Sequence, residues 1–232
     1  MTIDLIAFDA DDTLWHAEVI FKDAQDKFRK ILSAWQDQET IHKTLFEIET
    51  DNIALYGFGV KSYTLSMIEA AVTLSDGEIT ANDINEILKI GQVMLESEFP
   101  LLPGVKETLE TLSGEYPLMV ITKGDLLEQT TKVNRSGLTD YFSAIEVVST
   151  KSQQTYHQLM KKYDLNPETF VMVGNSLPSD IQPVLSLGGT AIHVPADTTW
   201  AHELMDDFDS TQKKFYEIEH IGQLTALLPK IK

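Results

Sequence analysis

Leu5-Ile6-Ala7-Phe8-Asp9-Ala10-Asp11-Asp12-Thr13 sets an apolar run directly against a cluster of aspartates. A run this short and without a polar break predicts a strand buried on both faces, as in a parallel sheet covered by helices. The aspartates then fall in the loop that leaves the strand's carboxyl end. In an open parallel sheet ligands bind beyond those ends, so the junction of Phe8 and Asp9 marks both the sheet and its working edge.

Similar runs recur along the chain. Leu118-Met119-Val120-Ile121 stops at Thr122, Ile145-Glu146-Val147-Val148 at Ser149, Phe170-Val171-Met172-Val173 at Gly174, and Thr190-Ala191-Ile192-His193-Val194 at Pro195. Phe215-Tyr216-Glu217-Ile218 suits an edge strand. Between them lie helix signals. Asp125 is an N-cap, with Glu128 in the first turn, Lys132 and Arg135 near the end and Gly137 as stop; Thr150 and Gln153 form a capping box opening a helix to about Tyr163. Pro178 suits the first position of a helix that runs to Gly188, and another spans Val105 to Thr111. Strands alternating with helices imply an α/β fold with a mainly parallel sheet.

Residues 15–99 break that alternation. Amphipathic stretches at Ala17–Trp35, Glu39–Tyr56, Ser62–Leu74 and Thr80–Glu96 are separated by Gly57-Phe58-Gly59 and Ser75-Asp76-Gly77, with no strand among them. A helical domain inserted over 15–99 is therefore expected within an α/β domain of residues 1–14 and 100–232. Leu102-Pro103-Gly104 would be the hinge back into it.

The whole chain, 232 residues with 43% hydrophobic and 23% charged, has the composition of an ordinary globular protein. A net charge of −18 makes it a poor general binder of nucleic acid or anionic lipid, because phosphate binding relies on Lys and Arg. The absence of cysteine excludes disulfides, a thiol nucleophile and thiolate-bound metal, and fits a reducing cytoplasm. No apolar run approaches a membrane span, and the N-terminus carries acidic residues where a signal peptide is basic, so neither membrane insertion nor export is expected.

The strand ends select the residues that could carry chemistry. Asp9, Asp11 and Asp12 repel one another in a tight loop, and a hard divalent cation such as Mg²⁺ would offset them. Asp9 and Asp11 could also divide the work, one as nucleophile and the other exchanging a proton. Alternatively, the tripeptide alone reads as an acidic turn with capping aspartates. Thr122-Lys123-Gly124, before a helix, could bind an anion, and Lys151, placed in the first turn of its helix, calls for a compensating anion. Gly174-Asn175-Ser176-Leu177-Pro178-Ser179-Asp180 offers an amide oxygen and a carboxylate. Taken one by one, these are turn or surface residues; together they supply, at successive strand ends, what metal-assisted phosphoryl transfer uses.

That set resembles the haloacid dehalogenase superfamily of hydrolases across residues 3–195. Asp9-Ala10-Asp11-Asp12-Thr13 matches the first motif, Asp-x-Asp-x-Thr. Thr122 matches the second, Lys151 the third, and Gly174-Asn175-Ser176 through Asp180 the fourth. Asp12 replaces the commoner Gly of the first motif, and Asn175 replaces an aspartate of the fourth. The resemblance implies a Rossmann-like core with a helical cap inserted after the first motif. The short span between Thr122 and Lys151 leaves no room for the large cap of other members.

The resemblance also implies a reaction: Asp9 attacks phosphorus to give an aspartyl-phosphate, and Asp11 protonates the leaving oxygen and then takes a proton from water. Mg²⁺ would be bound by Asp9, the Asp11 main-chain carbonyl, Asn175 and Asp180, while Thr122 and Lys151 hold the phosphate; Lys123, by its own place after the strand, could meet it too or be a solvated surface lysine. A small phosphate ester is the implied substrate, and a monomer or homodimer the expected assembly. A 2-haloacid dehalogenase using the same nucleophile is the rival reading, although such enzymes lack the second aspartate of the first motif. A non-catalytic binding protein on this fold is the third. Tyr56, Phe58 and Tyr63 are read as core of the cap, His16 as a rim residue, and Thr198–Glu203 as a surface helix start capped by Thr199 and remote from the motifs.

Overall fold

A computed structural model describes residues 2–196, 200, 203 and 205–231. The chain forms two compact units, one of Met1–Glu18, Phe99–Lys123 and Gln129–Lys232, the other of Val19–Glu98 and Gly124–Glu128. Residues 15–18 and 99 thus group with the α/β unit, and residues 124–128, expected in the α/β part, group with the helical one.

The α/β unit is built on six parallel strands: β1 (Leu5–Phe8), β2 (Leu118–Lys123), β3 (Ala144–Val148), β4 (Phe170–Gly174), β5 (Thr190–His193) and β6 (Phe215–Glu217). Their order is β3-β2-β1-β4-β5-β6. The apolar runs were long enough to place every one of these strands. Because β1, β2 and β4 are buried along nearly their whole length, both sheet faces are core. Ile6, Phe8, Val120, Val171 and Ile192 pack on one face, and Leu5, Ala7, Met119, Ile121 and Met172 on the other. This is the alternation that strand geometry imposes.

Helices α1 (Glu18–Leu32), α2 (Gln38–Tyr56), α3 (Val60–Leu74) and α4 (Ala81–Glu96) follow β1 and make up most of the helical unit. Their core is Phe28, Leu32, Ile41, Leu45, Met67, Ile87 and Met94. Asp37 caps α2 by accepting from the Thr40 N–H at 2.9 Å, and Thr80 with Asp83 forms a capping box on α4. Of the aromatic residues noted in the sequence, Tyr63 is buried in this core against Phe21, Phe58 is half-buried and Tyr56 is exposed.

The remaining helices are α5 (Val105–Ser113), α6 (Leu126–Arg135), α7 (Gln153–Lys162), α8 (Gln182–Ser186) and α9 (Leu224–Ile231). Asp125 caps α6 as expected, accepting from the Glu128 N–H at 3.0 Å. The Glu128 carboxylate reaches the Val60 N–H at 2.8 Å, and Asp125 pairs with Lys61. Both bonds explain why the start of α6 groups with α3. The cap of α7 is Ser152, whose hydroxyl accepts from the Thr155 N–H at 3.2 Å, and not Thr150. Lys151 therefore precedes the helix and is not in its first turn. The segment from Pro178 begins as one wide π-type turn over Leu177–Ile181 and becomes α-helical only at α8. Among the described residues no helix is long and apolar enough to cross a membrane.

Candidate active site

Strand order reverses at β1: β2 and β3 extend to one side of it, and the chain then returns to place β4 on the other. Crevices at such reversals lie at the carboxyl ends of the strands and are the usual ligand sites of open α/β sheets. Asp9 is the first residue beyond β1, and its N–H donates to the Val173 carbonyl at 2.9 Å, continuing the pairing with β4. Gly174-Asn175 lies at the matching end of β4.

The loop after β1 turns sharply because Asp12 adopts a left-handed backbone, φ 60°. Aspartate tolerates this region better than most residues. Here its side chain has a second use, accepting from the Ala17 N–H at 2.9 Å and the Glu18 N–H at 3.2 Å at the start of α1. Glycine at this position could make the turn but not the cap.

Three side chains from distant parts of the sequence meet around Asp9. The Lys151 ammonium donates to one Asp9 oxygen and, at 2.6 Å, to Asp180. All three are buried. Ser152, itself extended, starts the helix one residue late, so Lys151 reaches inward ahead of it. Asp180 also accepts from the Ser176 N–H at 3.1 Å and presses on Gly174 so closely that a β-carbon there would overlap its carboxylate. Gly174 is thus demanded by the approach of Asp180. The Thr13 hydroxyl lies 3.2 Å from the other Asp9 oxygen and 3.2 Å from the Asn175 side-chain oxygen.

Burial pushes the Asp9 carboxyl up to about 7, with Lys151 opposing the rise and Asp180 adding to it. Burial works against the charge on Lys151, but Asp180 and Asp9 outweigh it and hold the ammonium above the ordinary lysine range.

Asp11 has different company. Its carboxylate accepts from Trp15 Nε1 at 2.6 Å, Gln129 Nε2 at 3.0 Å and Lys132 Nζ at 2.9 Å. Burial alone would raise its pKa, yet Lys132, Gln129 and Trp15 overcome that and hold it below the ordinary range. Two aspartates only two positions apart are thus driven in opposite directions by their surroundings. Thr122 joins the second group: its hydroxyl donates to Gln129 Oε1 at 3.3 Å.

Lys123, expected to hold a phosphate, donates to Ser179 at 3.2 Å and forms an ion pair with Glu203, with the Trp200 ring 5.4 Å away. Glu203 is therefore beside the motifs, contrary to the expectation that it lay apart from them. The helix start read at Thr198, Thr199, Ala201 and His202 falls outside the described residues. Asn175 is steadied from behind, its carbonyl 3.0 Å from His193 Nε2, while His193 Nδ1 lies 2.8 Å from Glu217.

Trp15, Gln129, Lys132 and His193 escaped the sequence reading as site residues, and Glu203 was set apart by it. Gln129 and Lys132, spaced i and i+3 on α6, were a readable signal: one helical face carrying two donors next to the second motif.

A family model described as haloacid dehalogenase-like hydrolase matches residues 3–188. A glyceraldehyde 3-phosphate phosphatase from Methanothermobacter thermautotrophicus is 27% identical over 96% of this chain and 98% of its own. A haloacid dehalogenase-like family hydrolase from Xanthomonas campestris superposes with a TM-score of 0.88 at 37% identity, covering 99% of this chain and 92% of that one. A 2-haloacid dehalogenase from Pseudomonas syringae, covering 100% of both chains, shares the fold at 21% identity and a TM-score of 0.66.

Proposed function

Because the chain belongs to the haloacid dehalogenase-like hydrolases, as a phosphatase-like member, we propose that it hydrolyses a small phosphomonoester with Mg²⁺ through an aspartyl-phosphate on Asp9. The observation that carries this reading is the separation of the two aspartates. Asp9 faces a buried ammonium and lies where a phosphoryl group could be met by Lys151. Asp11 sits among donors that suit a proton acceptor. A departing halide takes no proton, so a dehalogenase gives Asp11 no leaving oxygen to serve. The elaborate holding of Asp11 therefore favours the phosphatase.

The donor set fits Mg²⁺. Thr13 has one hydroxyl proton, yet two acceptor oxygens, from Asp9 and Asn175, approach it equally. These oxygens, with Asp180 and the Asp11 main-chain carbonyl, would make the all-oxygen kind of set that magnesium takes. Among the described residues no group of three His, Cys, Asp or Glu side chains could hold a metal ion, so the amide and carbonyl oxygens are needed. Bound there, Mg²⁺ would draw charge from the phosphoryl oxygens.

The protein's own groups do the rest. Lys151 and Thr122 hold phosphoryl oxygens, Asp9 attacks phosphorus as the ester oxygen leaves, and Asp11 supplies that oxygen with a proton. Water then attacks phosphorus, the bond to Asp9 breaks, and Asp11 takes the proton back. Phosphoryl transfer asks chiefly for such alignment and charge compensation. The helical unit over 19–98 would act as the cap that limits substrate size.

The test is phosphate release from p-nitrophenyl phosphate and from a panel of sugar, nucleotide, glycolate, flavin and glyceraldehyde 3-phosphate esters. Release dependent on Mg²⁺ and lost in EDTA is expected. Halide release from a 2-haloacid, with no phosphate from any ester, would overturn the reading.

Asn175 gives a direct check on the metal. Asn175→Asp adds a negative charge to the oxygen set and is expected to tighten Mg²⁺ binding, read by calorimetry, about tenfold, or roughly 1.4 kcal/mol. In EDTA the same variant melts lower, because the new carboxylate joins Asp9 and Asp180 around a single ammonium. Unchanged Mg²⁺ affinity would remove Asn175 from the metal site.

A further inference from the structure

The partners of Asp11 are all donors. Trp15 Nε1 and Lys132 serve Oδ1 at 2.6 and 3.2 Å, and Gln129 Nε2 and Lys132 serve Oδ2 at 3.0 and 2.9 Å. An indole N–H and an ammonium cannot accept a hydrogen bond, and the one acceptor of Gln129 faces the Thr122 hydroxyl. The pocket is therefore complementary to a carboxylate, which takes hydrogen bonds on both oxygens. A carboxylic acid fits it only with its O–H turned away from these donors, the orientation that giving a proton to a leaving oxygen requires.

Lys132 dominates this pocket. Among the described residues it alone donates to both Asp11 oxygens, its side chain is buried, and its ammonium lies 4.7 Å from the centre of the Phe99 ring. A buried lysine placed this way is not a solvated surface cation, nor is it turned toward Asp9. Its position on α6, one turn after Gln129, fixes it relative to Thr122 as well.

We propose that Lys132 is a positioning residue for Asp11, aiming its carboxylate at the water that cleaves the aspartyl-phosphate. This rests on the reading of Asp9 as nucleophile. In that step the water oxygen bonds to phosphorus and the P–O bond to Asp9 breaks, its electrons returning to the Asp9 carboxylate. The water proton passes to Asp11. Nitrophenolate leaves without a proton, so with p-nitrophenyl phosphate the first half-reaction does not need Asp11 and the second does.

Lys132→Met is therefore expected to lower kcat for p-nitrophenyl phosphate about 10²-fold, the usual loss for an impaired general base. KM falls with it, because slow cleavage of the intermediate lets it accumulate. A burst of one nitrophenolate per site precedes the steady state, and acid quenching traps phosphate on Asp9. Lys132→Arg, which keeps a donor fork, restores most of kcat and abolishes the burst. If Lys132→Met does not fold, Lys132→Gln takes its place and should show the same burst.

Asp11→Asn is the control and should also accumulate the intermediate. Should Asp11→Asn show the burst while folded Lys132 variants lose kcat without one, or keep it, the role of Lys132 is refuted and the reading of Asp9 and Asp11 stands. If neither Asp11→Asn nor the Lys132 variants trap phosphate, the aspartyl-phosphate reading falls and takes the inference with it.

Discussion

Asparagine in place of Asp9 will leave the protein folded, harder to melt and without phosphatase activity. Loss of the attacking oxygen should reduce kcat by at least about 10⁴-fold, since the remaining groups only orient and compensate charge. The gain in stability follows from proton linkage. Burial lifts the Asp9 carboxyl from the ordinary 3.8 to about 7. Between those values the folded chain binds more protons than the unfolded one, so stability is lost as pH rises through that window, and the loss is complete above it. Asp9→Asn carries no such cost. In EDTA at about pH 8 its melting temperature should exceed that of the parent protein by on the order of 5 °C, equivalent to one or two kcal/mol at this chain length. At about pH 4 the difference should vanish. A lower melting point for Asp9→Asn at the higher pH would mean that the attraction of Lys151 outweighs the burial of the charge. Function here is expected to oppose stability, as it often does where a charged group is held out of water for chemistry.

What the sequence disclosed about this site, and what it hid, divides along physical lines. The strands and most helices were legible because burial on two faces or one leaves a periodic trace, as in Leu5–Phe8 or Ile41, Leu45 and Ile48 on α2. Residues at strand ends were legible because sheet topology forces function there. The cap of α7 was not: Thr150 with Gln153 makes the stronger local signal, a capping box, and yet Ser152 is the cap. The choice between them is made by Lys151, whose ammonium reaches Asp9 and Asp180 from ahead of the helix. Lys132 was hidden for a related reason. Near the end of α6 a lysine fits the helix dipole, so the sequence offers an adequate explanation for it at the surface. Only the fold, by setting Asp11 within reach, turns that residue inward. Glu203 and His193 lie too far along the chain from their partners for any local pattern to connect them. Asp12 fell between these cases, since its left-handed turn was predictable and its cap on Ala17 and Glu18 was not.

The heaviest structural loss should come from Lys151→Met. The substitution keeps much of the side chain's length and apolar volume, so packing suffers little. It removes the single ammonium that sits between Asp9 and Asp180 in a site where the lysine side chain is 2% exposed and Asp180 not at all. Breaking a buried ion pair from one side typically costs about 3–5 kcal/mol, because the remaining charge is left without compensation. At this chain length that corresponds to a fall in melting temperature of roughly 10 °C in EDTA. Activity should disappear as well, since the phosphoryl group loses a counter-charge and meets two unopposed carboxylates. The double variant Lys151→Met with Asp9→Asn separates charge from packing. If electrostatics govern, removing one of the two carboxylates recovers a large part of the lost stability, and the two substitutions are non-additive by at least about 1 kcal/mol. If the double variant melts as low as Lys151→Met alone, the charge on Asp9 is not what the lost ammonium was compensating, and the pairing of Asp9 with Lys151 does not hold the site together.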